Sequence, residues 1–425
     1  MMHGVPVVAV LVAGGALVAF VALQLVLLGL SLVVRARDER RIRALEIARF
    51  EKLVEAAGLV YDRRLQSASR WNGNRKFVVA RKVRESASAC SFYLKPHDGR
   101  PLPPFDPGQF LTFDLQIPDQ PKRIVRCYSL SDSPSGDHYR VTIKRVPPPE
   151  DKPDAPSGLV SSFFHDVVAE GDILDVKAPA GQFTTDLGSS RPVVLIAGGV
   201  GLTPVYSMLK AMRAANPSRE VWLFYGVTCG GEQIFKQDLE EIRAAGMGDR
   251  LCVNYSAPAA ADVEGVDYQH RGRISLELLK RHLPSSNYEF YVCGPPAMME
   301  SVAQGLAAWG VPAESIHSEA FGPASVKSKP AAPAASGDAA AAWAVSFARS
   351  DRSAPWNAGA GSLLDFAEEL GIAVSSGCRA GNCGTCAVAL RSGQVTYSRQ
   401  PGCEVEKGSC LLCITVPASA VVLDA

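Results

Sequence analysis

The stretch Cys378-Arg379-Ala380-Gly381-Asn382-Cys383-Gly384-Thr385-Cys386 is followed by another cysteine at position 413. In the spacing C-x4-C-x2-C with a distant fourth cysteine, four thiolates hold a [2Fe–2S] cluster, two on each iron. Glycines in the loop let the backbone curl around such a cluster. A disulfide pair or a zinc site is the alternative, but zinc sites favour a C-x2-C pair on both sides and only one is present. We therefore predict cluster ligation by Cys378, Cys383, Cys386 and Cys413.

Length and composition limit the classes of protein to consider. A chain of 425 residues is expected to form two to three domains. The net charge of +1 gives no electrostatic reason to expect a nucleic-acid partner. The chain has eleven cysteines, and those outside the cluster set have no regular spacing. They are therefore interpreted as reduced thiols in a reducing compartment.

The N-terminal region contains a long apolar segment. Residues 7–34 are apolar except for Gln24 and Ser31, and several arginines follow. About 20 apolar residues span a bilayer, and positive residues stay on the cytoplasmic side. We predict a transmembrane anchor over 1–35, single-pass in the inner or plasma membrane, with the later domains in the cytoplasm. A signal peptide, which would carry its positive charge before a shorter apolar segment, and a buried helix are the alternatives.

Three further segments are distinguished by pattern. Residues 36–72 predict a charged helical stalk, with a solvated linker as the alternative. Short β-runs broken by Pro and Gly over 73–188 predict a small antiparallel barrel. Apolar runs alternating with helical stretches over 189–324 predict a parallel α/β domain.

The C-terminal part begins after a linker. Residues 325–342 are rich in Ala and Pro without periodicity, which is typical of a linker. Residues 343–425 form the predicted cluster domain, in which Ser362 is expected to cap a helix that ends at Gly371. The predicted fold class is α+β multidomain.

Two loops of the α/β region suit a pyrophosphate. The turn Gly198–Pro204 follows an apolar strand and is expected to start a helix, with Thr203 as its cap and Pro204 at its first position. The segment Cys293-Gly294-Pro295 ends another strand of the same predicted sheet. A ligand lying across the strand ends would meet both loops.

The order of five motifs carries a family resemblance. These are Arg126-x-Tyr128-Ser129, Gly158-x-Val160-Ser161, Gly199-x-Gly201-x-Thr203-Pro204, Cys293-Gly294-Pro295 and Phe321-Gly322-Pro323. The order resembles the ferredoxin–NADP reductase superfamily, above all the reductase half of flavohaemoglobins and hybrid-cluster-protein reductases. The tail resembles a plant-type ferredoxin of β-grasp fold. Together the resemblances cover residues 75–425 and leave the anchor and stalk unexplained.

The resemblance implies a flavin on the barrel and a nicotinamide nucleotide on the α/β domain. The residues implied to hold FAD are Gln109, Arg126, Tyr128, Ser129, Lys144, Gly158, Val160, Ser161 and Phe321. Those implied for the nucleotide are Gly199, Gly201, Thr203, Cys293, Gly294 and Pro295. Ser129, Cys293 and Glu319 are implied to lie near the hydride path as catalytic residues. An FMN-only branch exists, but the ending Phe321-Gly322-Pro323 before a linker favours FAD.

The loop after the third strand of the α/β domain bears on nucleotide choice. Members of the superfamily that use NADPH usually place an arginine after a serine there, whereas this chain has Ser256-Ala257-Pro258. Because a 2′-phosphate is recognised by a cation, we expect NADH as the donor.

These inferences predict an NADH-dependent oxidoreductase that passes electrons through FAD and a [2Fe–2S] cluster to an acceptor protein. An oxygenase, a desaturase or a hybrid-cluster protein fits as acceptor, and the anchor favours a membrane-bound one. Two alternatives stay open: direct reduction of a small molecule by the flavin, and a membrane-tethered scaffold that docks partners through the ferredoxin domain.

Overall fold

The structure is a computed structural model that describes most of the chain beyond residue 70. The described residues are 71, 73–134, 136–148, 152–321, 343–379, 381, 383–398, 401, 403 and 405–425, with Gly15, Phe20, Gln24, Leu28 and Arg37 before them. In this part of the chain, no helix has both the length and the apolar character needed to cross a bilayer. Apart from Gly15, Phe20, Gln24 and Leu28, the predicted anchor segment 7–34 lies outside the described residues, as do most of the stalk and the linker 325–342.

A six-stranded antiparallel sheet forms the first domain, with the strand order β4-β3-β6-β1-β2-β5. Its elements are β1 (Arg75–Arg84), β2 (Ala89–Pro96), β3 (Phe110–Leu115), β4 (Ile124–Ser129), β5 (Tyr139–Lys144), α1 (Leu159–Asp166) and β6 (Ile173–Ala180). A bridge between Leu130 and Val141 joins the two outer strands. The sheet is therefore closed, which confirms the predicted antiparallel barrel.

Helix α1 packs on the barrel through aromatic contacts. Phe164 is fully buried, and its ring lies edge-on to Phe92 at 5.2 Å and to Phe113 at 5.3 Å between centroids. Aromatic pairs in this arrangement stabilise a core beyond the area that they bury. The packing fixes the start of α1 close to the end of β5, because Gly158 donates its N–H to Val146 O at 2.9 Å.

The second sheet is parallel, with the strand order β10-β9-β8-β7-β11-β12. Its strands are β7 (Val193–Gly198), β8 (Val221–Val227), β9 (Leu251–Tyr255), β10 (His270–Arg271), β11 (Glu289–Cys293) and β12 (Ile316–Glu319). Its helices are α2 (Leu202–Ala215), α3 (Lys236–Ile242), α4 (Leu276–His282) and α5 (Pro296–Ala308). The predicted parallel α/β domain is thus confirmed.

Strand β7 shows why the sequence folds this way. All six of its residues are buried. Val193 and Leu195 face one apolar core, whereas Val194 and Ile196 face the other. A strand covered by helices on both faces needs such a continuous apolar run.

The third sheet belongs to the C-terminal region and has the order β14-β13-β19-β15-β17. The elements are β13 (Ala344–Phe347), β14 (Arg352–Pro355), α6 (Leu363–Glu369), β15 (Ala387–Ser392), β16 (Val395–Tyr397), β17 (Ser409–Leu411), β18 (Thr415–Pro417) and β19 (Val421–Leu423). Strands β16 and β18 pair separately. As predicted, Ser362 caps α6, since its side chain accepts the N–H of Asp365.

One local prediction is wrong. Thr203 does not cap α2, because a short 3₁₀ turn over Gly199–Gly201 runs directly into the helix and makes Gly201 the N-cap. The Thr203 hydroxyl instead donates to Val200 O at 2.9 Å. Pro204 consequently lies within the first turn of the helix and not at its first position.

Candidate functional site

The nucleotide loops meet where the order of the parallel sheet reverses. Chain order runs from β7 through β8 and β9 towards β10, whereas β11 lies on the other side of β7. Strands β7 and β11 are neighbours, with Ala197 opposite Cys293. Ligands of open α/β sheets bind outside the carboxyl ends of the strands at such a reversal. The turn after β7 and the segment after β11 both lie at this point.

Glycines allow the two loops to touch through their backbones. A Cβ added to Gly201 would lie 2.3 Å from the carbonyl oxygen of Cys293. A Cβ on Gly294 would lie 3.0 Å from the Cα of Gly198. Gly199 has φ +53, and no described atom lies within 4 Å of a Cβ built on it, so its backbone is accessible within the described structure. The loops therefore leave a bare backbone surface of the kind that a pyrophosphate approaches.

Two helix N-termini supplement this surface. Helix α2 starts directly after the glycine turn, and α5 starts directly after Pro295. Free N–H groups and the helix dipole favour an anion at each terminus. Thr203 is 2 % exposed and its hydroxyl is bonded within the turn, so it supports the turn from the inside.

The two predicted catalytic groups of this domain lie side by side. Cys293 at the end of β11 pairs with Glu319 at the end of β12. The Oε2 atom of Glu319 is shielded from solvent and has no hydrogen-bond partner among the described residues. Burial raises the pKa of Glu319 to about 8, and burial together with Glu319 raises the pKa of Cys293 well above its ordinary value. Both groups are therefore uncharged at neutral pH. This fits contact with the edge of the nicotinamide ring of NADH, which is also uncharged.

Replacing Glu319 with glutamine is expected to change how stability depends on pH. With a folded-state pKa of about 8, the folded protein cannot ionise Glu319 while the unfolded chain already does, so wild-type stability falls between about pH 5 and about pH 8. The apparent Tm of Glu319→Gln relative to wild type should therefore rise across this window. Glu314→Gln, at an exposed glutamate nearby, is the control. If the Tm of wild type and of Glu319→Gln changed with pH in parallel, the raised pKa of Glu319 in the folded protein would be contradicted.

The predicted flavin residues of β4 are presented on its two faces. Tyr128 packs edge-on against Phe113 and Phe164, and burial raises the pKa of its hydroxyl well above the ordinary range. Arg126 is exposed, and its Nη1 donates to Val125 O at 2.7 Å. Ser129 ends the strand and is 5 % exposed. An exposed guanidinium next to a half-buried phenol suits a phosphate and a ring of one ligand.

The start of α1 is the second part of this region. The Ser161 hydroxyl donates to Gly158 O at 2.9 Å and accepts the N–H of Val146 at 3.1 Å, while Val160 is buried in the barrel core. The neighbouring Ser162 hydroxyl is shielded, and no hydrogen-bond partner for it lies in the part of the chain that the structure describes. A hydroxyl without a partner at a helix N-terminus fits a phosphate group, so these residues are compatible with FAD.

Three of the predicted flavin residues have other contacts in the structure. Gln109 is buried, and its side-chain oxygen accepts the N–H of Asp106 at 3.0 Å. Lys144 pairs with Glu232 at 2.8 Å, which ties the barrel to the parallel-sheet domain. Phe321 is partly buried and packs against the core of the parallel-sheet domain. Gly322 and Pro323, which complete its motif, lie outside the described residues.

The four predicted cluster cysteines form two pairs. The Sγ atoms of Cys386 and Cys413 are 3.1 Å apart. Cys378 and Cys383 each donate a backbone N–H to the sulfur of the other at 3.3 Å. None of the four forms a disulfide, which rules out that alternative for the described cysteines. Two pairs of thiols match the need of a [2Fe–2S] cluster for two ligands on each iron.

The cluster loop lies against β4 of the barrel. The Cys127 thiol lies near Cys378 and Cys383, and the side chains of these two cysteines raise its pKa well above the ordinary value. A Cβ on Gly377 would lie 3.2 Å from Val125, and Gln182 donates to Pro401 O at 3.1 Å. The sequence alone predicts only an ordinary reduced thiol at Cys127. Only the packing of two domains brings it to the cluster loop, and no local pattern signals that contact.

Comparisons with known proteins agree with this geometry. Residues 76–185 match the oxidoreductase FAD-binding domain, residues 195–304 the oxidoreductase NAD-binding domain, and residues 346–418 the 2Fe-2S iron-sulfur cluster binding domain. These matches favour the [2Fe–2S] cluster over a zinc site at the four cysteines. They also place FAD on the barrel and the nicotinamide nucleotide on the parallel-sheet domain.

Individual relatives cover different parts of the chain. A flavohemoprotein of Rhodopirellula baltica is 39% identical over 269 residues, which are 63% of this chain and 65% of that protein. The chain thus spans slightly less than two thirds of this relative. The flavohem-like FAD/NAD-binding domain of nitric oxide dioxygenase from Vibrio cholerae is 35% identical, with a TM-score of 0.52, and is covered completely by 59% of this chain. Phthalate dioxygenase reductase is 25% identical, with a TM-score of 0.50, over 83% of this chain and 98% of that one.

The barrel, the parallel sheet and the paired cysteines thus occur in the same order as the three matched domains. The chain belongs to the ferredoxin–NADP reductase family of FAD- and NAD-binding oxidoreductases, and it carries a 2Fe-2S cluster-binding domain at its C-terminal end.

Proposed function

We propose that the chain is a membrane-anchored NADH:acceptor reductase that passes electrons from NADH through FAD and the [2Fe–2S] cluster to a partner protein. The acceptor is of the oxygenase, desaturase or hybrid-cluster class. The packing of the cluster loop against β4 carries this proposal, because a Cβ on Gly377 would lie 3.2 Å from Val125 and Cys127 lies near Cys378 and Cys383, so the predicted flavin strand reaches the cluster loop. Phthalate dioxygenase reductase, a modular structure for electron transfer from pyridine nucleotides to [2Fe–2S], matches 83% of this chain and supports the proposal.

Bound FAD would accept two electrons as a hydride and release them singly, as a one-electron cluster requires. In the proposal, the barrel domain (73–188) holds FAD between the exposed guanidinium of Arg126 and the start of α1, with Ser129 at the ring.

The α/β domain (189–324) orients NADH across the backbone of Gly199, Gly201 and Gly294. Cys293 and Glu319 keep the ring edge in an uncharged environment, and Phe321 covers the flavin. The domain 343–425, a β-grasp ferredoxin, holds the cluster.

Anaerobic rapid mixing of the oxidised protein with NADH tests this order. The visible absorbance of the flavin should fall first, and the electron paramagnetic resonance signal of the reduced cluster should then grow at a rate that is independent of protein concentration. A cluster that stays oxidised over many turnovers would refute the proposal and favour direct reduction of a small molecule by the flavin. Absence of any rapid bleaching of the flavin would instead favour the scaffold alternative.

The proposed choice of NADH rests on the loop after β9. Ser256 and Ala257 are exposed there, and neither carries a charge. Wild type should therefore show a higher kcat/KM with NADH than with NADPH. Ala257→Arg should raise kcat/KM for NADPH by about tenfold or more, since one charge-assisted hydrogen bond contributes about 1.5–3 kcal/mol. Ala257→Gln, which is long but uncharged, is the control. A wild-type preference for NADPH would place the phosphate site elsewhere.

The proposed anchor rests on the apolar segment 7–34 and on the arginines after it. Phe20 and Leu28, two of the few described positions in this region, are helical and 58 % exposed. An apolar environment such as lipid would cover these side chains favourably. In intact cells a tag after Ala425 should resist external protease, and deletion of 1–35 should release an active protein from the membrane fraction. Cleavage of the C-terminal tag from outside would reverse the proposed orientation.

A further inference from the structure

Three side chains that commonly ligate metals converge at the edge of the parallel sheet. Cys252 lies in β9, His270 in the edge strand β10, and His282 at the end of α4. The Nε2 atoms of the two histidines are 2.9 Å apart, and the three potential ligand atoms all lie within 4.8 Å of one another. None of these residues belongs to the nucleotide loops, the predicted flavin contacts or the cluster loop.

The surroundings hold this group in place. Cys252 is 1 % exposed, and its thiol donates to Asp249 O at 3.3 Å. The His282 ring lies near Trp222 and Phe224, with centroids 6.2 Å and 5.8 Å away. Both histidines are only half-buried, so an ion can enter from the solvent side.

The geometry suits a tetrahedral ion. With Zn–N distances of 2.0–2.1 Å and a Zn–S distance of 2.3 Å, the ligand atoms of a tetrahedral zinc site lie about 3.3–3.6 Å apart. The histidine nitrogens would have to separate by a few tenths of an ångström, and the sulfur would have to move inwards. Imidazole and thiolate are both favourable ligands for zinc. A hydrogen bond between the imidazoles explains their short distance, and the thiol beside them adds a third ligand of a type that zinc prefers.

We propose that Cys252, His270 and His282 form a Zn²⁺ site that fastens β10 and α4 to β9, with water as the fourth ligand. Strand β10 has only two residues and α4 has seven, so a shared ion would stabilise two short elements at once. On binding, the Cys252 thiol forms a bond to zinc and releases its proton to solvent.

The test uses the full-length protein with its cluster intact, so that the cluster cysteines are not free to bind zinc. After incubation with Zn²⁺ and desalting, elemental analysis should give about one zinc and about two irons per chain. Cys252→Ser, His270→Gln and His282→Gln should each weaken zinc binding by about tenfold or more while iron remains unchanged. Cys90→Ser, at another buried thiol, and His97→Gln, at an exposed histidine, should bind zinc like wild type.

X-ray absorption at the zinc edge of the wild type provides a readout that does not depend on the variants folding. It should show one sulfur and two histidine nitrogens around zinc. Zinc should also raise the apparent Tm of wild type but not of His282→Gln. Failure of wild type to retain zinc, or a spectrum with four sulfurs, would overturn the proposal and leave the histidine pair as a plain hydrogen bond.

Discussion

Cys413→Ser is expected to abolish electron delivery to cytochrome c while NADH oxidation with ferricyanide continues near the wild-type rate. Cys413 is buried, with its sulfur 3.1 Å from that of Cys386, so the substitution removes one ligand from an iron that needs two protein thiolates. The rate with cytochrome c should fall by about 100-fold or more, because this acceptor depends on the cluster. Ferricyanide accepts electrons from the flavin directly and does not need the cluster.

A matched control lies three residues away. Cys410 is also buried in the C-terminal core but is not one of the predicted ligands. Cys410→Ser should keep the visible absorbance of the cluster and both activities. If Cys413→Ser reduced cytochrome c at the wild-type rate, the cluster would not lie on the path of electrons from the flavin to this acceptor. If Cys410→Ser lost the cluster while Cys413→Ser kept it, the ligand set would be wrong, with Cys410 in the place of Cys413.

Gly201→Ala is expected to slow reduction of the flavin by NADH by about 100-fold, a cost typical of a displacement near 1 Å at a reacting site. The new Cβ would lie 2.3 Å from the carbonyl oxygen and 2.6 Å from the carbonyl carbon of Cys293. Neither atom can rotate away, since both belong to the backbone. The glycine turn and the Cys293–Pro295 segment must therefore separate, and the nucleotide surface between them is lost.

The measurement is the rate of flavin bleaching after anaerobic mixing with NADH, together with the flavin content. Flavin binding should be unchanged, and dithionite should still reduce the flavin and the cluster. Gly231→Ala is the control in the same domain, because the nearest atom to its new Cβ is 3.9 Å away. Bleaching of Gly201→Ala at the wild-type rate would mean that NADH does not lie across these loops.

The main elements were predictable because their signals are local. The apolar runs at Phe110–Leu115, Leu251–Tyr255 and Glu289–Cys293 match observed strands, since buried strands need such runs. The cap at Ser362 was predictable for the same reason, because a cap and its helix are adjacent in sequence. The prediction that Thr203 caps α2 was wrong because a short 3₁₀ turn and an α-helix start from the same kind of sequence. The packing of the glycines decides between them.

Contacts between domains were not predictable, since they depend on how folded parts meet. Lys144 pairs with Glu232 of the neighbouring domain, although its position in the strand gives no hint of this. Cys127 reaches the cluster loop only because the C-terminal domain packs against β4. The group of Cys252, His270 and His282 is equally invisible in sequence, because its members come from three elements without a shared motif.

The position of Cys127 within β4 also bears on the kinetic order of the reaction. Tyr128, which is implied to contact the flavin, is its neighbour in the strand, and Cys127 itself lies near two predicted cluster ligands. Adjacent Cα atoms are about 3.8 Å apart, so the two residues keep a fixed spacing along the strand. In the proposed function, transfer between the cofactors would therefore be intramolecular, governed by an effective concentration that dilution leaves unchanged. Dilution would slow only the encounter with the acceptor, and the dependence of turnover on protein concentration would report on that step alone.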